Sequence, residues 1–352
     1  MTVIKIPGKL FLAGEYANTD PGQPSIVFAV NRFITFDAQL NTEPLIVVTS
    51  DLLGYRQYQP DELFNLLPND DWRLIQQSLS VFAQFMMNCQ QSIQPFKLNI
   101  SSDLTIHDQK IGLGSSGATV IGIIKSLFIL HQMPHSPLTI YKLAAIVLHS
   151  LPNFVNGSMG DLAAAAFSGL IYYQKFDHVW LTTQLQTQSI ASIITEQWPC
   201  LVIQPLIWPT DWHITIGWTQ KPANTQIQLN QITTQDETES TFQTASARIV
   251  KQLVAAINTT NWSQMAQALI DNRQLLSTYT QARHIPYQTP KLVQLMHSAD
   301  RIHVPSKISG AGNGDNGLAI VQTAWQLSAL QKAWQAHHIM PLPLSIYTEK
   351  EV

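Results

Sequence analysis

The run Gly112-Leu113-Gly114-Ser115-Ser116-Gly117-Ala118 is the part of this chain best suited to chemistry. Its glycines tolerate positive φ and let a ligand approach the backbone closely. Apolar Val120, Ile121, Ile123, Ile124, Leu127 and Phe128 follow at helical spacing, so the loop feeds a helix. The free N–H groups and positive dipole end of such a helix favour an anion, and phosphate fits there. Ser115 and Ser116 add hydroxyls that can cap the helix, hold a phosphate oxygen or ligate Mg²⁺. No Gly-Lys-Ser/Thr closes the run, so it is not a Walker A loop. Read alone, the segment is equally a glycine turn with a serine cap.

Three other segments could bear on the same chemistry. Ser309-Gly310-Ala311-Gly312-Asn313-Gly314-Asp315 is a second loop of small residues. Lys9 lies in Pro7-Gly8-Lys9-Leu10-Phe11-Leu12-Ala13-Gly14-Glu15-Tyr16, beside the end of a strand expected over 3–6. It could neutralise phosphate, or be an ordinary surface lysine. Asp161 closes Asn156-Gly157-Ser158-Met159-Gly160-Asp161 and could sit in a first helical turn, where the dipole favours a carboxylate. His107, His149, His213, His284 and His303 show no ligand spacing and are read as structural. Cys89 and Cys200 are read as core thiols, with neither a disulfide framework nor a zinc site.

The elements that must position these residues are readable from pattern. Strands are expected over 3–6, 25–40, 45–50 and 96–100, from β-branched and aromatic content. Asp20-Pro21-Gly22 marks a turn. Leu74, Ile75, Leu79, Phe82 and Phe85 predict a helix over 74–88. Helices follow over 136–149, with Ser136 as N-cap and Pro137 at the first helical position, and over 161–167. The second half predicts strands at 201–207 and 213–218, helices at 241–257, 261–276 and 324–336, and an apolar run at 318–321. Polar stretches cover 182–191 and 220–240. The first marks a division near residue 180, giving domains 1–180, with the phosphate loop, and 181–352. The class is α+β, without the regular alternation of a doubly wound sheet.

Composition narrows the function. At about 150 residues per domain, 352 residues suit two domains, and 45% hydrophobic residues supply their cores. Charged residues are only 12%, against a usual share of about 25%. A net charge of −3 and a pI near 6.4 exclude a general nucleic-acid binder, which carries a basic face. A local cationic site for phosphates remains compatible. Neither a signal-peptide core nor a run of roughly 20 apolar residues is present, so a cytoplasmic protein without a membrane partner is expected.

Taken together and in order, Gly8 to Glu15, Gly112 to Ser116 and Gly310 to Gly314 resemble the three motifs of the GHMP kinase superfamily, over about residues 5 to 321. Within it the chain is similar to the phosphomevalonate kinase family. Tyr16 stands where mevalonate kinases usually have His. Lys110 precedes Ile111-Gly112, and Gly217-Trp218-Thr219-Gln220-Lys221-Pro222-Ala223-Asn224-Thr225 is the most family-specific stretch. Lys307-Ile308-Ser309-Gly310-Ala311-Gly312 matches the third motif. The chain departs from the family at Asn313 for Gly, Asn316 for Cys and Asn224 for Ser or Thr. Asn tolerates a left-handed conformation, so the third loop can keep its shape. No counterpart is evident for the Glu with which some superfamily members hold Mg²⁺.

The resemblance implies a two-domain GHMP kinase fold, with a ribosomal-protein-S5-like N-terminal domain, a ferredoxin-like C-terminal domain and ligands in the cleft between them. It implies transfer of the γ-phosphate of ATP to 5-phosphomevalonate, giving 5-diphosphomevalonate, with Mg²⁺ as cofactor and a monomer or homodimer as the assembly. Lys9 would bridge the transferring group and the acceptor phosphate, with Asp161 orienting Lys9 or Mg²⁺. Lys110, Gly112, Leu113, Gly114, Ser115, Ser116 and Gly117 would hold the ATP phosphates, Ser116 being the Mg²⁺ ligand. Tyr16, Ser158, Trp218, Lys221 and Thr225 would serve the acceptor, closed over by Ser309, Gly310, Ala311 and Gly312. Trp72 and Asn88 are candidates for the adenine pocket. A mevalonate kinase and a phosphometabolite sensor without turnover are the competing readings.

Overall fold

A 17-residue strand organises the first half of the chain. In the computed structural model, which describes residues 2–65, 70–107, 109–221 and 237–349, this strand is β2 (Pro24–Leu40). It pairs along one edge with β1 (Thr2–Ala13), and along the other first with β8 (Leu170–Gln174) and then with β5 (Phe96–Ser102). β3 (Ile46–Ser50), β4 (Gly54–Tyr58) and β9 (Val202–Leu206) complete a seven-stranded sheet of order β4-β3-β5-β2-β8-β9, with β1 beside β2. Among the described strands only β3 and β5 pair in parallel.

β1 runs well past the strand expected over 3–6. The register shifts between Pro7 and Gly8, from Pro7↔Phe33 to Gly8↔Val30, and pairing then resumes through Lys9↔Ala29 and Leu10↔Phe28. The extra residues bulge on the β2 side, bending the pair there instead of ending it. Lys9 is therefore inside a strand, not beside its end, and its backbone is fixed on both sides.

Helices α1 (Arg73–Asn88), α2 (Ser115–Leu130), α3 (Pro137–His149) and α4 (Gly160–Phe167) build a core with this sheet. α2 is apolar all round and lies close to β2: a Cβ at Gly122 would fall 2.0 Å from the Phe36 ring. Ser136 caps α3 as expected, accepting the Thr139 N–H at 3.1 Å, with Pro137 in the first turn.

The polar segment 182–191 is helical. Asp177 caps α5 (His178–Thr187) by accepting the Val179 and Trp180 N–H groups, and α6 (Ile190–Ile193) follows. Because β9 belongs to the first sheet, sheet membership changes between residues 206 and 213. Cys200 is exposed, in a turn with φ +66, and Cys89 is half-buried, so the expectation of two core thiols fails for Cys200.

The second sheet is antiparallel, of order β11 (Ser306–Ile308), β12 (Asn316–Val321), β10 (His213–Trp218), β13 (Met340–Leu342). α8 (Trp262–Ala282), α9 (Pro290–Asp300) and α10 (Ala324–Ala336) accompany it, while α7 (Glu237–Asn258) packs between α8 and the first sheet at β2 and β9. The end of the chain returns to the first sheet, where Ile346 bridges to Val30 and Tyr347 meets the Phe33 ring edge-on at 4.8 Å.

Candidate active site

β1 fixes Lys9 against the phosphate loop. The Lys9 N–H donates to the Leu113 carbonyl at 2.8 Å, and the side chain passes over Gly114. A Cβ at Gly114 would lie 2.6 Å from Lys9 Cε, and its φ of +72 already disfavours any side chain. Lys9 Nζ sits 4.9 Å from the centre of the Phe11 ring. α4 delivers Asp161 to the same place. A Cβ at Gly117 would fall 2.5 Å from Asp161 Oδ2, and the Leu162 N–H donates to Oδ1 at 3.1 Å. A cation and a carboxylate thus face the head of α2.

Their protonation follows from that enclosure. Burial draws the Lys9 ammonium below its ordinary value, opposed by Asp161, Asp315 and Glu15. Burial pushes the Asp161 carboxyl up, opposed by Lys9 and by backbone N–H groups including those of Leu162 and Gly117.

The third small-residue loop is tied to β1. The Ser309 hydroxyl accepts the Phe11 N–H at 3.1 Å and donates to the Phe11 carbonyl at 2.8 Å. The Tyr16 hydroxyl donates to the Ala311 carbonyl at 2.6 Å. Lys307 makes a buried ion pair with Glu15, whose same oxygen accepts the Gly310 N–H at 3.2 Å. The other Glu15 oxygen is buried without a hydrogen-bond partner. Asn313 takes φ +61, so it does supply the left-handed turn. Asp315 lies against Gly112, and Asn316 Nδ2 donates to the Ile111 carbonyl at 2.6 Å. The third loop therefore touches both β1 and the phosphate loop.

A cleft opens between them. Lys9, Tyr16, Gly112, Ser158, Ser309, Gly310, Ala311 and Gly312 line it, all of them expected site residues. Glu15, Asn18, Thr19 and Asp315 also line it and were not singled out by sequence. Glu15 and Asp315 were legible as members of the first and third motifs; nothing local marks Asn18 or Thr19.

Known proteins resemble this chain in sequence and in fold. Residues 73–169 match the GHMP kinases N terminal domain. The phosphomevalonate kinase of Streptomyces sp. (strain CL190) is 28% identical, over 96% of this chain and 95% of that protein. The structure of Streptococcus pneumoniae phosphomevalonate kinase in complex with phosphomevalonate and AMPPNP is 27% identical, with a TM-score of 0.87, over 99% of this chain and all of that one. The Lin0012 protein from Listeria innocua is 28% identical, with a TM-score of 0.91, over 97% of each chain. Over nearly its whole length the chain is similar to phosphomevalonate kinases of the GHMP kinase superfamily. Its α+β architecture is the one expected for that superfamily.

Not every residue expected at the site reaches the cleft. Ser115 and Ser116 occupy the first turn of α2, half-buried, beside Gly117. Leu113 is a core residue that contributes its carbonyl. Lys110 is exposed in β7 (Gln109–Lys110), the second strand of a short hairpin, and does not line the cleft. Trp218 is 1% exposed within the core beside β10, so it supports the second sheet and is not a cleft-lining side chain. Lys221 is exposed, and its carbonyl accepts the Asp315 N–H at 2.7 Å. Thr225 lies outside the described residues. The adenine candidates are engaged elsewhere: Trp72 lies under the Arg56 guanidinium at 5.0 Å, and the Asn88 side chain accepts the Ile190 N–H at 3.0 Å. Among the described residues, no group of three or more His, Cys, Asp or Glu is placed to hold a metal ion.

Proposed function

We infer that this protein catalyses the phosphomevalonate kinase reaction, moving the γ-phosphoryl group of ATP onto 5-phosphomevalonate to give ADP and 5-diphosphomevalonate. The observation that carries the reading is the placing of Lys9, with Asp161 beside it, between the head of α2 and the third loop in one cleft. Phosphoryl transfer asks a protein mainly for positioning and charge neutralisation. The N–H groups at the start of α2 meet the first need for the ATP phosphates, and Lys9 meets the second.

The acceptor oxygen belongs to a phosphomonoester, whose second pKa is about 6, so it is already ionised near neutral pH. It attacks the γ-phosphorus as the bond to the β-phosphate oxygen breaks, and the electron pair leaves on ADP. No base is needed. Asp161 keeps Lys9 charged and in place, opposing the burial that would otherwise favour the neutral amine. Lys9 then spans the two phosphates that must approach one another.

The residues present fit Mg²⁺, since the Ser116 hydroxyl and the Asp161 carboxylate are hard oxygen donors at the head of α2, and the ion prefers to complete its shell with phosphate oxygens and water. Bound with ATP, it would neutralise charge on the β- and γ-phosphates. The reaction is assigned to the cytoplasm, where both charged metabolites would be available; no helix among the described residues is long and apolar enough to cross a membrane.

A coupled ADP-release assay with Mg-ATP, offering 5-phosphomevalonate and mevalonate in separate wells, tests the substrate. Turnover with 5-phosphomevalonate alone is expected. Turnover with mevalonate alone would overturn the acceptor, and silence in both from folded protein would overturn the activity. Gly117→Ala offers a second check. Gly117 is helical with ordinary φ, so alanine adds up to about 1 kcal/mol of helix propensity, offset by the cost of moving the Asp161 carboxylate, 2.5 Å from the new Cβ. The new methyl would displace the Asp161 carboxylate, and kcat should fall by about 10²-fold. Steady-state kinetics and a thermal melt on one preparation should show kcat falling in a protein that remains folded.

A further inference from the structure

Lys175 is 1% exposed and has no part in the mechanism above. It directly follows β8, and its ammonium donates to the Thr19 carbonyl at 2.9 Å and reaches the Val155 carbonyl at 3.5 Å. Its own carbonyl accepts the Gly22 N–H at 2.9 Å. Thr19 ends the short helical turn Ala17–Thr19 that follows Tyr16, and it lines the cleft. Val155 belongs to the turns that lead to Ser158, which also lines the cleft. Ser158 is further fixed through its carbonyl, which accepts the Tyr173 hydroxyl at 2.8 Å from β8 itself. One buried cation thus ties together two loops, remote in sequence, that form one wall of the cleft.

The cost of enclosing such a charge argues that the tie matters. A buried ammonium loses its hydration and is retained only where carbonyls or carboxylates repay it. Here two main-chain carbonyls and the nearby Asp20 carboxylate do so, and Asp20 is itself held by the Gln243 side chain from α7. An apolar side chain in the same space would fill the core but leave the Thr19 and Val155 carbonyls without this donor.

We propose that Lys175 is a positioning residue for the acceptor: by holding the Thr19 and Val155 carbonyls, it sets the spacing of Tyr16 and Thr19 from Ser158, and with it the fit of 5-phosphomevalonate. The inference rests on the phosphomevalonate kinase reading of the same cleft. It assigns no contact with ATP, whose phosphates lie at the head of α2.

The charged groups around Lys175 give the proposal a pH signature. Burial lowers its pKa from 10.5 to about 8, with Asp20 opposing the shift. His149 and His178 also face it, and burial lowers both, so they are neutral in the alkaline range. As pH rises through about 8, the ammonium loses the charge that makes its hydrogen bonds strong, and the acceptor KM should rise. The folded chain gives up this proton before the unfolded chain does, so on this account stability increases with pH between about 8 and 10.5. A loss of acceptor affinity in that window is then not a loss of fold.

The test is steady-state kinetics of wild type, Lys175→Met and Lys175→Arg, with each substrate varied in turn and the acceptor KM followed across pH 7 to 9.5. Lys175→Met should raise KM for 5-phosphomevalonate by about tenfold and leave KM for ATP within about twofold. Lys175→Arg, which keeps its charge at every pH used, should recover most of the affinity and abolish the alkaline rise. An unmoved acceptor KM in Lys175→Met, or equal rises for both substrates, would overturn the proposal. Should Lys175→Met not fold, an alkaline rise that persists unchanged in Lys175→Arg would overturn it alone. Wild-type turnover with 5-phosphomevalonate beside unmoved variants refutes only this inference, whereas wild-type silence with that acceptor refutes the kinase reading and this inference together.

Discussion

Lys9→Ala is expected to lower kcat by about 10³-fold, with the fold intact and KM for either substrate changed far less than kcat. Cations aimed at a transferring phosphoryl group are worth about 10³–10⁵ in rate where they are fully organised, and loss of one preorganised donor elsewhere costs about 10²–10³. Lys9 meets the conditions for a large effect. Its backbone is fixed by pairing with Ala29 and by the bond to Leu113, its stem is confined by Gly114, and its charge faces Asp161. Alanine there would widen the cleft that the residue borders. The native enzyme should also lose kcat on the alkaline side earlier than an ordinary lysine would dictate. Burial lowers the Lys9 pKa, so its charge is lost as pH rises through that lowered value. Rapid-quench or coupled kinetics, set beside a thermal melt, would check the prediction; turnover within tenfold of wild type would remove Lys9 from its assigned role.

Much of this site was legible in the sequence because its parts are local. A glycine loop opening a helix, a serine N-cap followed by proline, and an asparagine able to take positive φ are each decided within a few residues, and the structure has α2, Ser136 and Asn313 as expected. What was hidden depends on residues far apart. Lys9 stands inside β1 and not beside a strand end, because β2 absorbs the irregularity at Pro7-Gly8 as a bulge. The polar run 182–191 has little amphipathic pattern, yet Asp177 caps it into a helix. Trp218 belongs to a family-specific stretch, but β10 turns its ring into the core. Asn316, noted only as a departure from the family, donates to Ile111 across 205 positions and holds the phosphate loop from the second sheet. Side-chain pairings at that separation leave no periodic trace in one sequence.

The Glu15–Lys307 pair reaches across 292 positions, and its disruption carries the largest expected effect on stability. Lys307 is wholly enclosed and Glu15 nearly so, at 0% and 3% side-chain exposure. Burial alone would draw the Lys307 ammonium down, and Glu15 opposes that. Lys307→Met keeps the apolar length of the side chain but strands the Glu15 carboxylate, one oxygen of which already has no hydrogen-bond partner. Breaking a buried pair from one side costs about 3–5 kcal/mol, mostly the penalty of the charge left behind. Equilibrium denaturation of Lys307→Met should show a loss of that size. The double variant Glu15→Gln with Lys307→Met should recover a large part of it, since no charge then remains to be desolvated. Stability and activity should separate in that double variant. Glu15 also accepts the Gly310 N–H and lines the cleft, so the restored fold would still hold the third loop less firmly over the transferring group, and kcat should stay below wild type. A single Lys307→Met variant as stable as the native chain would show that the pair contributes nothing net. A double variant with native stability and native kcat would show that it does not position the loop.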